Sequence, residues 1–346
     1  MTSSDVELNG RSLKLHKAIV DPQFGTKSVL TNSHWSFVDL YLRRNNSHDA
    51  LFYWEQARQF HDASKGLPIN SAPLLLYYSF MNATKALLSS KNCAFAPHHG
   101  VKGELLSADR RKISLSTEGV RFKSSGIVPS LSEYFCETES VRVHSLDVML
   151  HNMVFVHRTY CLTYLSRAEM FFPLREAIYE RDDVTGQIRL KAFVASDADW
   201  KKLRRKLPPS FERYPNGGDR CVRSVDFRNW DTSDDPSASE IQDLKDLHRS
   251  LRPDLLYIDG SETLWYLKSA GPRNLSRRSP TLILAAMHRL SEICRYRPIE
   301  LASYMNGQQN WLINEFVTMS PAQFIDEIAS EITGHQFMTP NVRVPK

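Results

Sequence analysis

No stretch of roughly 18 consecutive apolar residues occurs in the 346-residue chain, so no membrane-spanning helix is expected. The opening Met1-Thr-Ser-Ser-Asp-Val-Glu7 has neither a basic stretch nor an apolar core, so no secretory signal is expected either. Cysteine is sparse. The five, at 93, 136, 161, 221 and 294, are odd in number and widely spaced, with no Cys-x-x-Cys pair. That excludes a zinc ribbon and a thioredoxin-type motif, and reduced thiols in a cytoplasmic protein are the expectation. Glycine is also sparse, at 14 residues. Neither Gly-x-x-x-x-Gly-Lys-Ser/Thr nor Gly-x-Gly-x-x-Gly occurs, which argues against the common NTPase and dinucleotide folds. His-Glu-x-x-His and the Gly-x-Ser-x-Gly elbow are missing too. The adjacent His98 and His99 point in different directions on regular structure. Asp243, Asp246 and His248 read as the solvated face of an amphipathic helix, so neither a metal nor a cofactor is expected. Charge of either sign is nearly balanced, 44 Lys+Arg against 39 Asp+Glu. A net +5 permits an anionic partner without demanding one.

What is present is an ordinary globular composition, 42% hydrophobic and 24% charged, long enough for a sizeable core and for about two domains. Residues 18–20 and 28–30 read as short strands or arms, and 35–42 as a helix. Asp49 to Ser64 is amphipathic and stops at Gly66-Leu67-Pro68. Ser71 and Pro73 open a second helix, apolar almost all round through Met81, which is therefore buried. Short strands are expected at 112–116 and 119–122, and a helix over 145–164. From Leu174 the period shifts to two: 175–181 and 187–194 form a hairpin around Asp182–Gly186. Ser196 to Asp199 starts a helix that runs through Lys206, a tight turn follows at 216–218, and 228–240 reads as a loop. A helix over 241–251 precedes a hairpin, 255–258 with 262–267, around Asp259-Gly260. Helices follow from Ser279-Pro280, from Pro298 to Gly307, and from a capping box at Ser320-Pro-Ala-Gln323 to Gly334. The order, helices then strands then helices, is α+β. It suggests a mainly helical bundle formed by N- and C-terminal helices with a strand-rich middle lobe. The expected divisions are 1–90, 91–270 and 271–346.

Four constellations carry candidate chemistry. Trp200, Lys201, Lys202, Arg204, Arg205 and Lys206 form a basic helix able to track a phosphate backbone, with the indole stacking on a base. Equally, they form a solvated helix whose cations suit the negative end of its dipole. Arg273, Arg277 and Arg278 make a second basic cluster. Arg43-x-x-x-x-His48 fits the loose motif of HEPN-type ribonucleases, in which the His handles the 2′-hydroxyl proton and the Arg stabilises the phosphorane. A loop arginine beside a capping histidine gives the same spacing. Asn82 and Lys85 lie on the most apolar helix. A buried ammonium needs a partner, and Glu55 on the preceding helix is the candidate.

Several blocks then read together: Phe52-Tyr-Trp-x-Gln-Ala-Arg-x-Phe60, Pro73-Leu-Leu-Leu-Tyr-Tyr-Ser-Phe-Met-Asn82-x-x-Lys85-Ala86, His99-Gly100 and Arg295-Tyr-Arg297-Pro298. This arrangement resembles the YaaC-like family of bacterial proteins. The resemblance implies an intracellular bacterial protein and carries over no catalytic residues. It makes Asn82, Lys85, His99, Gly100, Arg295 and Arg297 family-motif positions, with Lys85 and the two arginines as a candidate anion pocket. The resulting expectation is a cytoplasmic binding or interaction protein for nucleic acid or another anionic partner. A larger, defence-type system is one setting for it. The alternatives are a metal-independent ribonuclease using Arg43 and His48, and a small-anion or nucleotide sensor using Lys85 and Arg297.

Overall fold

The computed structural model describes residues 3–107, 114–215, 218–231 and 236–340. In chain order the elements begin with β1 (Ser3–Asp5), β2 (Val29–Leu30), α1 (His34–Arg44), α2 (His48–Ser64), α3 (Ala72–Ser90), β3 (Val101–Leu105), β4 (Glu118–Phe122) and α4 (Ile127–Tyr134). Next come β5 (Val143–Ser145), α5 (Leu146–His151), a 3-10 turn (Val154–Val156), α6 (His157–Thr163), β6 (Phe171–Asp182), β7 (Gln187–Val194), α7 (Asp197–Leu203), β8 (Phe211–Arg213), β9 (Cys221–Ser224) and β10 (Arg228–Asn229). The chain closes with α8 (Ala238–Leu251), β11 (Leu255–Ile258), β12 (Leu264–Lys268), α9 (Ser279–Tyr296), α10 (Pro298–Met305), α11 (Asn310–Thr333) and β13 (Phe337–Met338). The class is α+β. Among the described residues no helix is long and apolar enough to cross a membrane.

The chain divides into two compact units. One gathers the residues up to Leu30, Met170–Asn274 and the residues from Gly334 onward. Its sheet runs in the order β11-β12-β6-β7-β9-β8, with β1 also on β6 and β10 also on β7. Every pairing in it is antiparallel. Burial along β7 alternates, with Ile188, Leu190, Ala192 and Val194 inside and the residues between them half-buried. That is the period-two signature of a sheet covered on one face. Leu244, Leu247 and Leu251 of α8 join the same core. α8 is closed at its start by a reciprocal Ser237–Glu240 capping box.

The expected 175–181/187–194 hairpin forms, with Arg181 opposite Ile188. Its loop is held by Asp182, whose carboxylate accepts the Val184 and Thr185 N–H groups. The second hairpin pairs Ile258 with Leu264, so Asp259-Gly260 lies in a five-residue connection and not in a two-residue turn. Residues 18–20 are not a strand, and Arg228–Asn229 pairs with β7 where a loop was expected. Part of the expected strand at 112–116 and Asn216-Gly217 of the expected turn lie outside the described residues.

The other unit comprises Thr31–Glu169 and Leu275–Thr333. α3 is its centre, packed against α2, α9, α11 and α4. Phe80 of α3 stacks on Phe324 of α11 at 4.4 Å between ring centres. Trp54 of α2 is fully buried and donates its indole N–H to the Trp35 carbonyl at 3.0 Å. Strands β3, β4 and β5 form a small antiparallel sheet in the same unit.

Three helical expectations need correction. The segment 145–164 is broken: α5 ends at Asn152, whose side chain donates to the Val148 carbonyl and accepts the Leu275 N–H. Ser320-Pro321 does not start a helix. α11 passes through it from Asn310, with Pro321 inside. Proline interrupts one backbone hydrogen bond, yet Leu312, Ile313, Phe316 and Val317 before it, and Phe324 and Ile328 after it, are all buried. Packing of that face outweighs the local signal. Helix α7 stops at Leu203, so Arg204, Arg205 and Lys206 follow the helix instead of extending it.

Candidate functional site

In the helical unit, the segment after α3 brings His99 to a defined place. The His98 and His99 carbonyls accept the Ile127 and Val128 N–H groups, at 2.9 and 3.2 Å, from the unsatisfied first turn of α4. Gly100 (φ +77°) and Gly126 (φ +120°) lie backbone to backbone here, and a Cβ on Gly126 would meet the Gly100 Cα. Gly126→Ala is therefore expected to destabilise the protein by about 2–4 kcal/mol, combining a left-handed backbone with overpacking. A denaturant melt gives the value.

Around His99 the helices supply further polar groups. Tyr77 of α3 lies with its Oη 2.5 Å from His99 Nδ1. Burial pushes the phenol well above its ordinary pKa, so it keeps its proton. The Tyr77 hydroxyl also reaches Met81 Sδ at 3.8 Å, and its bond to His99 holds the imidazole in place. Burial, helped by the charges of Arg295 and Lys85, lowers the His99 pKa. The imidazole is neutral at pH 7. His288 of α9 stands with its ring 5.0 Å from Tyr77 and 5.4 Å from His99. It is 4% exposed, and burial lowers it to a pKa of about 4. Its Nδ1 has no hydrogen-bond partner among the described residues, and the Glu292 carboxylate is 3.9 Å away. Glu292 is held in turn by Arg289 at 3.0 Å.

Two cations complete the cluster. Lys85 is half-buried above the Tyr53 ring, 5.3 Å from its centre, and burial lowers its pKa. Arg295 is exposed, its guanidinium 4.4 Å from the Tyr296 ring centre. Neither meets a carboxylate among the described residues. Asn82, one turn before Lys85, donates to the Tyr78 carbonyl, while its buried Oδ1 has no partner among the described residues. The arrangement is a neutral imidazole, hydrogen-bonded to Tyr77, that feels the charges of two cations.

Of the expected pocket residues, Lys85 and Arg295 are near enough for their charges to act on His99, and Asn82 lies one turn before Lys85 on α3. Glu55 and Arg297 do not join them. Glu55 pairs with Arg43 at 2.6 Å, not with Lys85. The Arg297 guanidinium is taken by Glu118 and Glu300. Arg43 also binds Asp39 at 2.9 Å, so two carboxylates already meet its charge. His48 is the first residue of α2. The geometry therefore gives the Arg43–His48 ribonuclease reading no support.

In the sheet unit, Lys201, Lys202, Arg204, Arg205 and Lys206 are all exposed. Trp200 packs against the sheet core, so part of its ring is already covered. In the helical unit, the Arg277 side chain is largely covered, ion-paired with Glu137 at 3.2 Å and stacked over Phe122, which removes it from any free basic patch. His248 is buried with both ring nitrogens engaged, by Tyr179 and by the Ala18 carbonyl. Tyr77, His288 and Glu292 were not legible as site residues. His288 sits among Leu284, Ala285, Met287 and Leu290, which mask a lone polar residue in a hydrophobic periodicity.

A family model described as YaaC-like Protein matches residues 21–332. No curated protein matches the chain, and no solved structure does.

Proposed function

The chain belongs to the YaaC-like family, and from its geometry we propose that it binds a small anionic ligand at Lys85, His99 and Arg295. The observation that carries this reading is a pair of cations without carboxylate partners flanking a fixed, neutral imidazole. A half-buried ammonium has lost part of its hydration, and an incoming anion replaces it. The His99 ring, held by Tyr77, adds a directional polar contact, and the buried Asn82 Oδ1 can accept a ligand hydroxyl or a water. Thermal unfolding with and without inorganic phosphate tests this. A ligand at about 100 times its Kd adds about 2.7 kcal/mol of stability. The gain is expected to vanish in Lys85→Met/Arg295→Met while the unliganded melt is kept. An equal gain in that variant overturns the reading.

A second reading rests on the five exposed cations from Lys201 to Lys206 in the sheet unit, which suit a polyanion such as single-stranded nucleic acid. Binding there should weaken with salt, with a slope of about 0.7 per phosphate contacted. Neutralising Lys201, Arg204 and Arg205 together should flatten that slope by about two units. A slope unchanged in that variant counts against the polyanion reading.

A further inference from the structure

The sheet unit contains a cleft of about 490 Å³ that none of the preceding sequence patterns signalled. Its floor comes from an extended N-terminal segment. Leu13 pairs with both Val6 and Tyr179 through backbone hydrogen bonds, and Lys14 bridges to Ile178. The extended backbone turns Leu13 and Leu15 into the core, each 2% exposed. Ser12, Lys14 and His16 lie at the alternate positions and line the cleft. Phe24, Lys27 and Ser28 also line it, as does the exposed Arg11.

Three features of this cleft point to a ligand. Arg11, Lys14 and Lys27 are exposed cations, none with a carboxylate partner among the described residues, and no carboxylate lines the cleft. His16 is 2% exposed and its Nδ1 accepts the Ala18 N–H at 3.0 Å. Burial and the neighbouring Arg252 hold it neutral, with a pKa of about 3. With Nδ1 an acceptor, the single ring proton is on Nε2, which has no acceptor among the described residues. Phe24 supplies an apolar surface, itself braced edge-on by His16, Tyr179 and His248. A cleft of this volume falls within the range of small-molecule sites, about 300–1,000 Å³, and exceeds what a bare phosphate needs.

We propose that this cleft binds a phosphate monoester of nucleoside size, the phosphate held by Arg11, Lys14 and Lys27 and the ring system lying against Phe24. The His16 Nε2–H then meets a ligand acceptor. Cations supply attraction, while the fixed imidazole and the aromatic wall supply orientation. The site uses residues different from Lys85 and Arg295, and the two proposals stand or fall separately.

The test is calorimetric titration of the full chain with adenosine 5′-monophosphate, adenosine and ribose 5-phosphate. The monophosphate should bind the parent and the Lys85→Met/Arg295→Met variant alike. Arg11→Met/Lys27→Met changes only exposed side chains and should weaken it about tenfold or more. Adenosine and ribose 5-phosphate should each bind more weakly than the complete nucleotide. Three results overturn the assignment: no nucleotide binding at millimolar concentration, unchanged affinity in Arg11→Met/Lys27→Met, or ribose 5-phosphate binding as tightly as the nucleotide. If affinity falls only in the Lys85→Met/Arg295→Met variant, the ligand belongs to the helical unit and this proposal fails while the previous one stands.

Discussion

Glu118→Ala is expected to destabilise the helical unit by about 3–5 kcal/mol, the scale for removing one partner from a buried ionic cluster. Glu118 on β4 is 1% exposed. It accepts two hydrogen bonds from Arg289, at 3.0 and 2.6 Å, two from Arg297, at 3.0 and 2.6 Å, and one from Tyr304 at 2.9 Å. Burial by itself would raise its pKa, but the hydrogen bond from Arg297 and the charge of Arg289 hold it below the usual carboxylate range. Without the carboxylate, Arg289 keeps only Glu292 and Arg297 keeps only Glu300. Two guanidinium groups then lose their shared counter-charge. Glu118→Gln preserves the shape and should lose most of the same stability, which separates charge from packing. The measurement is the urea midpoint at constant slope; a shift below about 1 kcal/mol, the scale of an exposed pair, would refute the expectation.

Acid should begin to destabilise the protein above the pH range in which its carboxylates titrate. His288 and His157 have pKa values lowered to about 4, and His16 to about 3, all chiefly by burial. An unfolded histidine titrates near 6.5. Between pH 6.5 and about 4 the unfolded chain therefore binds more protons than the folded one. Stability must fall as pH falls across that window. Above pH 6.5 the contribution is fully present, and below the folded value no further loss accrues. At about 1.4 kcal/mol per unit of separation, His288 alone represents up to about 3 kcal/mol. About 2 kcal/mol of this falls between pH 7 and pH 5, and urea melts at those two values should differ by at least that much. His288→Gln should flatten the dependence in the helical unit, and an unaltered pH profile in that variant would rule out His288 as its source.

Local signals were legible where local chemistry decides. Gly66-Leu67-Pro68 and Pro73 bracket α2 and α3 because chain stops and first-turn proline act within a few residues. The alternation over 187–194 named its own strand. Ser320-Pro321 misled because the same residues fit a helix start or the interior of a long buried helix. Only the packing of Phe316 and Phe324 chooses between them. Helix α4 was hidden by its shortness and by Pro129. At the site, Lys85, His99 and Arg295 could be grouped through the family-like blocks, but Tyr77 and His288 could not. Both are polar atoms on helices whose other residues are apolar, and what they face is fixed by tertiary structure. Glu118 lies in a stretch where small and polar residues dominate, and nothing local distinguishes it from a solvated carboxylate. The cleft was invisible for a related reason: the alternation Leu13/Leu15 against Ser12/Lys14/His16 is only a few residues long.

The sheet unit draws on both ends of the described chain. Lys17 donates to the Phe337 carbonyl at 2.7 Å across 320 residues, and β2 runs parallel to β13. The segment around Leu13 pairs with Val6 and Tyr179, so it can dock as soon as β6 has been made. The Lys17–Phe337 bond and the β2–β13 pairing come later, because they need residues made about 300 positions apart. The sheet unit is therefore closed in two separate stages of synthesis, and a nascent chain lacking Phe337 can complete only the first.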